Sequence, residues 1–191
     1  MKLVICVPAR DLVHAGFALS LAKLSKTIDC EILINLGTII PQQRNQLVKE
    51  ALEKNATHIL WLDSDMHVPE STAIKLLAHD KEIVAATYST RMPPHQSVAF
   101  VDPNDFSKRL IETNGLHKVW AVGMGCMLVN TKVYEYLEQP YYQYVDYKAT
   151  QSLMGEDIYF CKNVNDAGFD IFVDATLSNN VAHYGTKSFT L

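Results

Sequence analysis

Hydrophobic and polar positions follow two rhythms along this chain. Positions 3–7 form an unbroken apolar run ending in Val7-Pro8-Ala9-Arg10, which predicts a buried strand that stops at Pro8. Val13, Phe17, Leu21 and Leu24 then recur at helical spacing, predicting an amphipathic helix over 13–26. A second strand is expected at 31–35. Pro41 opens a second helix whose inner face is Leu47, Val48, Ala51 and Leu52. Positions 57–62 carry His58-Ile59-Leu60-Trp61-Leu62 with little polar alternation, the signature of a strand buried on both faces. A helix near 70–79 and a strand at 83–88 continue the series.

Beyond Arg91 the rhythm loosens. Pro93-Pro94 and Asp102-Pro103 break the chain between 91 and 118. Positions 119–129 are apolar and contain Gly123 and Gly125. Thr131 is placed to cap a short helix reaching Leu137. The segment 138–154 reads as an aromatic-rich loop. A last helix follows Gly155, buries Ile158, Cys161 and Val164, and ends at Gly168. Strands are expected at 169–173 and 181–184. Alternating strands and helices predict an α/β fold: one Rossmann-like domain over 1–191, with a mostly parallel central sheet flanked by helices. Right-handed crossovers set the C-terminal strand ends along one rim, where open α/β sheets bind ligands.

Composition narrows the function classes. Hydrophobic residues are 48% and charged residues 20%, as in ordinary globular proteins, and the net charge is -4 with no run of Lys or Arg. That argues against a broad nucleic-acid or anionic-membrane surface. No apolar run reaches membrane-spanning length, and the first is too short for a signal peptide, so a cytoplasmic protein is expected. Cys6, Cys30, Cys126 and Cys161 form no CxxC pair and read as reduced, buried thiols.

The sharpest chemical feature is Asp63-Ser64-Asp65, directly after the third strand. Residues two apart in an extended segment face the same side, so both carboxylates are expected to point together at the rim. Close carboxylates repel unless a cation joins them or one is protonated, and no Lys or Arg lies nearby in sequence. A divalent cation, Mn²⁺ or Mg²⁺, satisfies such oxygens; a solvated turn is the plainer alternative. Glu156-Asp157 opens the last helix, where acids are favoured by the helix dipole and where one of them could serve as a general base. His183 is either structural or a metal ligand beside the carboxylates. Lys187 either meets a phosphate or belongs to a solvated tail. Arg44-Asn45 either holds a nucleotide, pins the acidic loop, or makes a surface ion pair with Glu50 or another acid. Gly123-Met124-Gly125 lets backbone approach a ligand closely. The aromatic stretch 141–147 and Trp120 fit sugar stacking, core, or a dimer contact. No P-loop and no GxSxG elbow is present.

In combination these stretches resemble the GT-A glycosyltransferases, most closely the small family-2-like members of bacteria, phages and large viruses. The matching segments are LVICVPAR from Leu3, Arg44-Asn45, ILWLDSDM from Ile59, GMGCMLV from Gly123, GEDIYF from Gly155 with AGFDIFV from Ala167, and His183-Tyr184-Gly185. They span nearly the whole chain in the family's order. The resemblance implies a GT-A domain that moves a sugar from a nucleotide-diphosphate sugar, UDP- rather than GDP-linked, to a hydroxyl acceptor such as a glycan. It implies that Asp65 binds the metal, that Asp63 contacts ribose or shares the metal, and that His183 completes the ligand set. Pro8, Ala9 and Arg10 would border the nucleobase, with Asn35, Arg44, Ser64 and Lys187 also on the nucleotide side. Gly123, Met124 and Gly125 fall on the acceptor side, and Glu156-Asp157 is the acidic pair there, with Asp157 the preferred catalytic carboxylate. The sequence departs from the family at Ile34-Asn35-Leu36-Gly37, where an acidic pair often stands. Two rival readings are a sugar nucleotidyltransferase, disfavoured by the absence of glycine between Pro8 and Gly16, and a non-catalytic nucleotide-sugar-binding protein.

Overall fold

The computed structural model describes residues 1–147 and 152–185 of the 191. The first half follows the predicted alternation: β1 (Leu3–Ala9), α1 (Ala15–Leu24), β2 (Cys30–Leu36), α2 (Ile40–Glu53), β3 (His58–Leu62), β4 (Met66–His67), α3 (Thr72–Ala78) and β5 (Ile83–Ala85). The second half is more broken: β6 (Ala99–Phe100), β7 (Leu116–Val119), β8 (Ala121–Val122), β9 (Cys126–Asn130) and a 3₁₀ turn at Thr131–Tyr136. It closes with β10 (Val145–Tyr147), β11 (Ser152–Met154), α4 (Glu156–Asp166), β12 (Ile171–Asp174), α5 (Ala175–Ser178) and β13 (Ala182–His183).

Seven strands form one sheet in the order β2-β1-β3-β9-β5-β12-β7. Five run in one direction; β9, between β3 and β5, and β7, at the edge, run the other way. The protein is therefore a mixed α/β fold with a mostly parallel sheet. Apolar side chains pack on both faces. Ile5, Val7 and Leu60 meet Phe17, Leu21 and Leu24 of α1 on one face, and Cys6 and Trp61 meet Leu47, Val48 and Phe160 on the other. No helix among the described residues is long and apolar enough to cross a membrane.

Several local expectations are corrected. β1 runs through Pro8 to Ala9, because Pro8 lies past Cys6↔Trp61, the last register position shared with β3, and the missing N–H breaks no ladder on that side. The apolar run 119–129 is not one element. Gly123-Met124-Gly125 turns the chain from β8 into β9, so β9 enters the sheet reversed. The 3₁₀ turn is capped by Asn130, whose side chain accepts from the Lys132 amide, while Thr131 Oγ1 donates to the Ala56 carbonyl at 2.8 Å. The expected loop 138–154 contains the β10–β11 pair. Tyr142 is core: its ring stacks on Phe160 at 5.0 Å and its hydroxyl meets that of Tyr134 at 2.7 Å. Tyr141 is also buried, and Trp120 stacks on Phe106. Cys6, Cys126 and Cys161 are buried and free as expected, while Cys30 is only half-buried. Gly168, with φ of +87°, follows the end of α4 as predicted.

Candidate active site

The reversal of β9 brings the site's parts to one rim. Parallel β1, β2 and β3 end there with Ala9, Leu36 and Leu62, and antiparallel β9 begins there, pairing Cys126 with Leu62. The Asp63 amide accordingly donates to the Gly125 carbonyl at 3.2 Å. A cleft of about 470 Å³ opens at this rim, lined by the predicted Pro8, Ala9, Arg10, Asp63, Ser64 and Asp65. Gly37 also lines it, as do Thr38, Gln43 and Arg91, which the sequence does not single out. A larger cavity of about 720 Å³ lies between α2 and the segment 139–141, but none of the site carboxylates reaches it.

Asp63 and Asp65 are held by different arginines. The chain turns immediately after β3, with the Met66 amide bonded to the Asp63 carbonyl at 3.1 Å, so extended-strand spacing does not apply. Asp63 Oδ1 accepts from Arg44 Nη2 at 2.9 Å. Asp65 instead meets Arg91 Nη2 and lies 3.3 Å from His183 Nε2. The neutralising arginines arrive from α2 and from the loop after β5, which local sequence does not reveal. Burial would raise the Asp65 pKa, but the neighbouring His183 and Arg91 outweigh it and hold it below its ordinary value.

Arg44 is 2% exposed and bridges the two halves of the site. Its Nε donates to Glu156 Oε1 at 3.2 Å while Nη2 holds Asp63. Its guanidinium carbon sits 5.2 Å from the centroid of the Trp61 ring. Burial opposes the charge, but Asp63 and Glu156 prevail and keep the pKa above the ordinary arginine value. Of the sequence's alternatives, pinning the acidic loop describes the observed contacts, and the surface pair with Glu50 is not formed. Asn45 likewise turns inward, bonding the backbone of Pro41 and Tyr142.

Glu156 is buried and committed to Arg44, whereas Asp157, at the start of α4, is half-buried. Asp157 Oδ1 accepts the Ile158 amide at 2.8 Å. Burial and the neighbouring Glu156 charge push its pKa up from 3.8 to about 6. Gly155 gives the room: a Cβ there would stand 2.7 Å from Asp157 Oδ1.

His183 reaches Asp65 because β13 is clasped to the core. β13 pairs antiparallel with β4, setting His183 opposite Met66, and the Tyr184 amide donates to the Asp65 carbonyl at 2.8 Å. The Tyr184 ring stacks on His14, 3.9 Å between centroids and 12° from parallel. Lys187 lies outside the described residues. Asn35 stands at the end of β2, where its carbonyl and that of Ala9 both accept from Gln43 Nε2, at 2.7 and 2.6 Å. Gln43 thus ties the ends of two strands together. Its side chain is buried and polar, a role that only contacts can show.

The room left by Gly123 and Gly125 is taken by Tyr88, whose hydroxyl accepts the Gly125 amide at 3.0 Å. Met124 is buried in the core. A Cβ at 125 would lie 2.7 Å from the Tyr88 ring, and backbone and ring cannot both hold their places. Gly125→Ala is expected to destabilise the fold by about 1–3 kcal/mol, read as a lower urea midpoint. An unchanged midpoint would show that Tyr88 does not depend on that gap.

No protein-family model matches the sequence, and no curated protein does. The fold aligns with the crystal structure of A197 from STIV at a TM-score of 0.66 and 17% identity, over 92% of this chain and 83% of that one. It aligns with S. aureus TarS 1-349 at a TM-score of 0.48 and 13% identity, over 92% of this chain and 58% of that one. It also aligns with a glycosyltransferase involved in the glycosylation of the major capsid of PBCV-1, at 0.40 and 13%, over 70% of this chain and 63% of that one. The A197 alignment speaks to fold alone. Chemistry has to be argued from the site.

Proposed function

We propose that this protein is a glycosyltransferase that moves a sugar from a nucleoside-diphosphate donor, UDP-linked in preference to GDP-linked, to a hydroxyl acceptor such as a glycan. The observation that carries this reading is the convergence of Asp65 and His183 on a single cation position beside the rim cleft. These residues lie far apart in the sequence, and a carboxylate with an imidazole is a donor set suited to Mn²⁺. Among the described residues no cluster of three or more His, Cys, Asp and Glu stands ready for a metal. Two donors still fit a cation that takes the rest of its shell from water and a diphosphate. Asp65 and His183 would hold Mn²⁺ or Mg²⁺. When bound, the ion supplies Lewis-acid charge against the negative charge growing on the leaving diphosphate.

The chain's own residues supply the rest. Pro8, Ala9, Arg10 and the backbone near Asn35 border the base and ribose. Asp63, held by Arg44, faces the donor from the third strand. On the acceptor side Asp157 takes the proton of the attacking hydroxyl as its oxygen bonds to the anomeric carbon and the bond to the diphosphate breaks. Tyr144, 46% exposed and within the fields of Glu156 and Asp157, offers a ring for an acceptor sugar.

The test separates the two ends of the site. Asp65→Ala should reduce transfer by two orders of magnitude or more and weaken Mn²⁺-dependent UDP binding in calorimetry by about tenfold. Asp157→Ala should reduce transfer while leaving that binding intact. Normal metal-dependent nucleotide binding by Asp65→Ala would reject the metal assignment. Absence of transfer with every UDP- and GDP-sugar by wild-type protein would favour a binding protein.

A further inference from the structure

The residue that occupies the Asp65–His183 position is Arg91, at the tip of a hairpin outside the regular sheet. The hairpin is tied at its base by the Val98 amide on the Tyr88 carbonyl, 3.0 Å, and by the Thr90 amide on the Gln96 carbonyl, 2.9 Å. Residues 91–96 are exposed, yet the Arg91 side chain reaches back into the rim cleft. Its Nε and Nη2 lie 2.9 and 2.7 Å from His183 Nε2, and Nη2 also meets an Asp65 oxygen. A guanidinium only donates, so His183 Nε2 must accept. The other ring nitrogen, Nδ1, is buried with no hydrogen-bond partner among the described residues. The Nε2 lone pair and the Asp65 carboxylate are thus already aimed at a cation, and that cation is supplied by the protein.

A guanidinium and a divalent ion cannot use the same lone pairs at once. Arg44, the other arginine touching the site acids, is buried between two carboxylates and not free to move. The Arg91 side chain is 51% exposed on a surface tip, and the cleft it lines holds no other arginine but Arg10. We propose that Arg91 is a diphosphate-binding residue that exchanges places with the metal. In the free protein it fills the Asp65–His183 position; when donor and ion arrive together it swings onto the diphosphate oxygens beside it. This builds on the glycosyl-transfer reading and adds a consequence: metal alone binds weakly, and metal with nucleotide binds well, because the diphosphate gives the displaced guanidinium a new partner.

The experiment titrates Mn²⁺ into wild type and Arg91→Ala, following free Mn²⁺ by electron paramagnetic resonance, alone and with UDP or GDP. Arg91→Ala should bind Mn²⁺ alone about tenfold more tightly than wild type. Its affinity for UDP at saturating Mn²⁺ should fall by about tenfold or more. Arg91→Lys, which keeps the charge but loses the fork, should fall between the two. Unchanged Mn²⁺ affinity or unchanged UDP affinity in Arg91→Ala overturns the exchange. If that happens while wild type still binds Mn²⁺ with UDP and transfers sugar, only the role of Arg91 fails. If wild type, Arg91→Ala and Asp65→Ala all fail to bind Mn²⁺ with either nucleotide, the metal reading beneath it fails as well.

Discussion

Asp157→Asn is expected to abolish transfer and, at the same time, to make the protein more stable. Loss of a positioned general base typically costs about 10²–10⁴-fold in rate. The gain in stability follows from the environment of the carboxylate. Burial and the Glu156 charge raise its pKa from 3.8 to about 6, against the opposing pull of the Ile158 amide and Arg44. The folded state therefore keeps this proton up to about pH 6, where the unfolded chain has already released it. Between about pH 4 and 6 stability falls as pH rises, and above that the ionised group carries a constant penalty, on the order of 1–3 kcal/mol. Asparagine cannot ionise, and its amide oxygen can still accept the Ile158 N–H. At pH 7.5 the melting temperature should rise by roughly 2–4 °C for each kcal/mol recovered. At pH 4 the difference should vanish. The wild-type rate should climb through about pH 6 as the base ionises, then level off. An active Asp157→Asn enzyme would exclude this residue as the base, and a lowered melting temperature at pH 7.5 would exclude the strained carboxylate.

Arg44→Met should have the largest effect on folding. The guanidinium is buried between Asp63 and Glu156, and removing it strands two carboxylates around an apolar centre that includes Trp61. Breaking a buried ion pair on one side costs about 3–5 kcal/mol. Methionine keeps the volume of the stem, so the loss reports on charge more than on packing. The urea midpoint should drop sharply, and adding Glu156→Gln to the variant should restore part of it. A midpoint within experimental error of wild type would mean that the bridge is not ionised as drawn. Donor binding should weaken too, since Asp63 loses the contact that orients it.

The parts of this protein legible in its sequence share a physical basis. β1, β3 and α2 were visible because their apolar periodicity is set by their own burial; of the inner face assigned to α2, Leu47, Val48 and Ala51 are buried, while Leu52 is 38% exposed. Asp63 and Asp65 were conspicuous because they follow directly on the apolar strand β3, and Asp157 because it stands in the first turn of α4. Gln43 and Arg91 were not legible, since each takes its role from a partner far away in the chain. Gln43 links Ala9 with Asn35, and Arg91 meets Asp65 and His183. Asp63 and Asp65 meet different arginines, Arg44 and Arg91, for a local reason, the turn that begins immediately after Leu62. The glycines at 123 and 125 were noticed as room for a close approach. The group that approaches is the protein's own Tyr88.

What the sequence determined alone was the alternating α/β order, the rim at the strand ends, and the identity of the acids there, because periodicity and end signals are local properties. What only tertiary structure decided was pairing: β9 inserted backwards beside β3, Arg44 chosen as the link between Asp63 and Glu156, and Arg91 seated on Asp65 and His183. The Arg44 pairing depends on which distant segments share a low-dielectric space. Burial there makes an unmatched charge costly enough to select its partner.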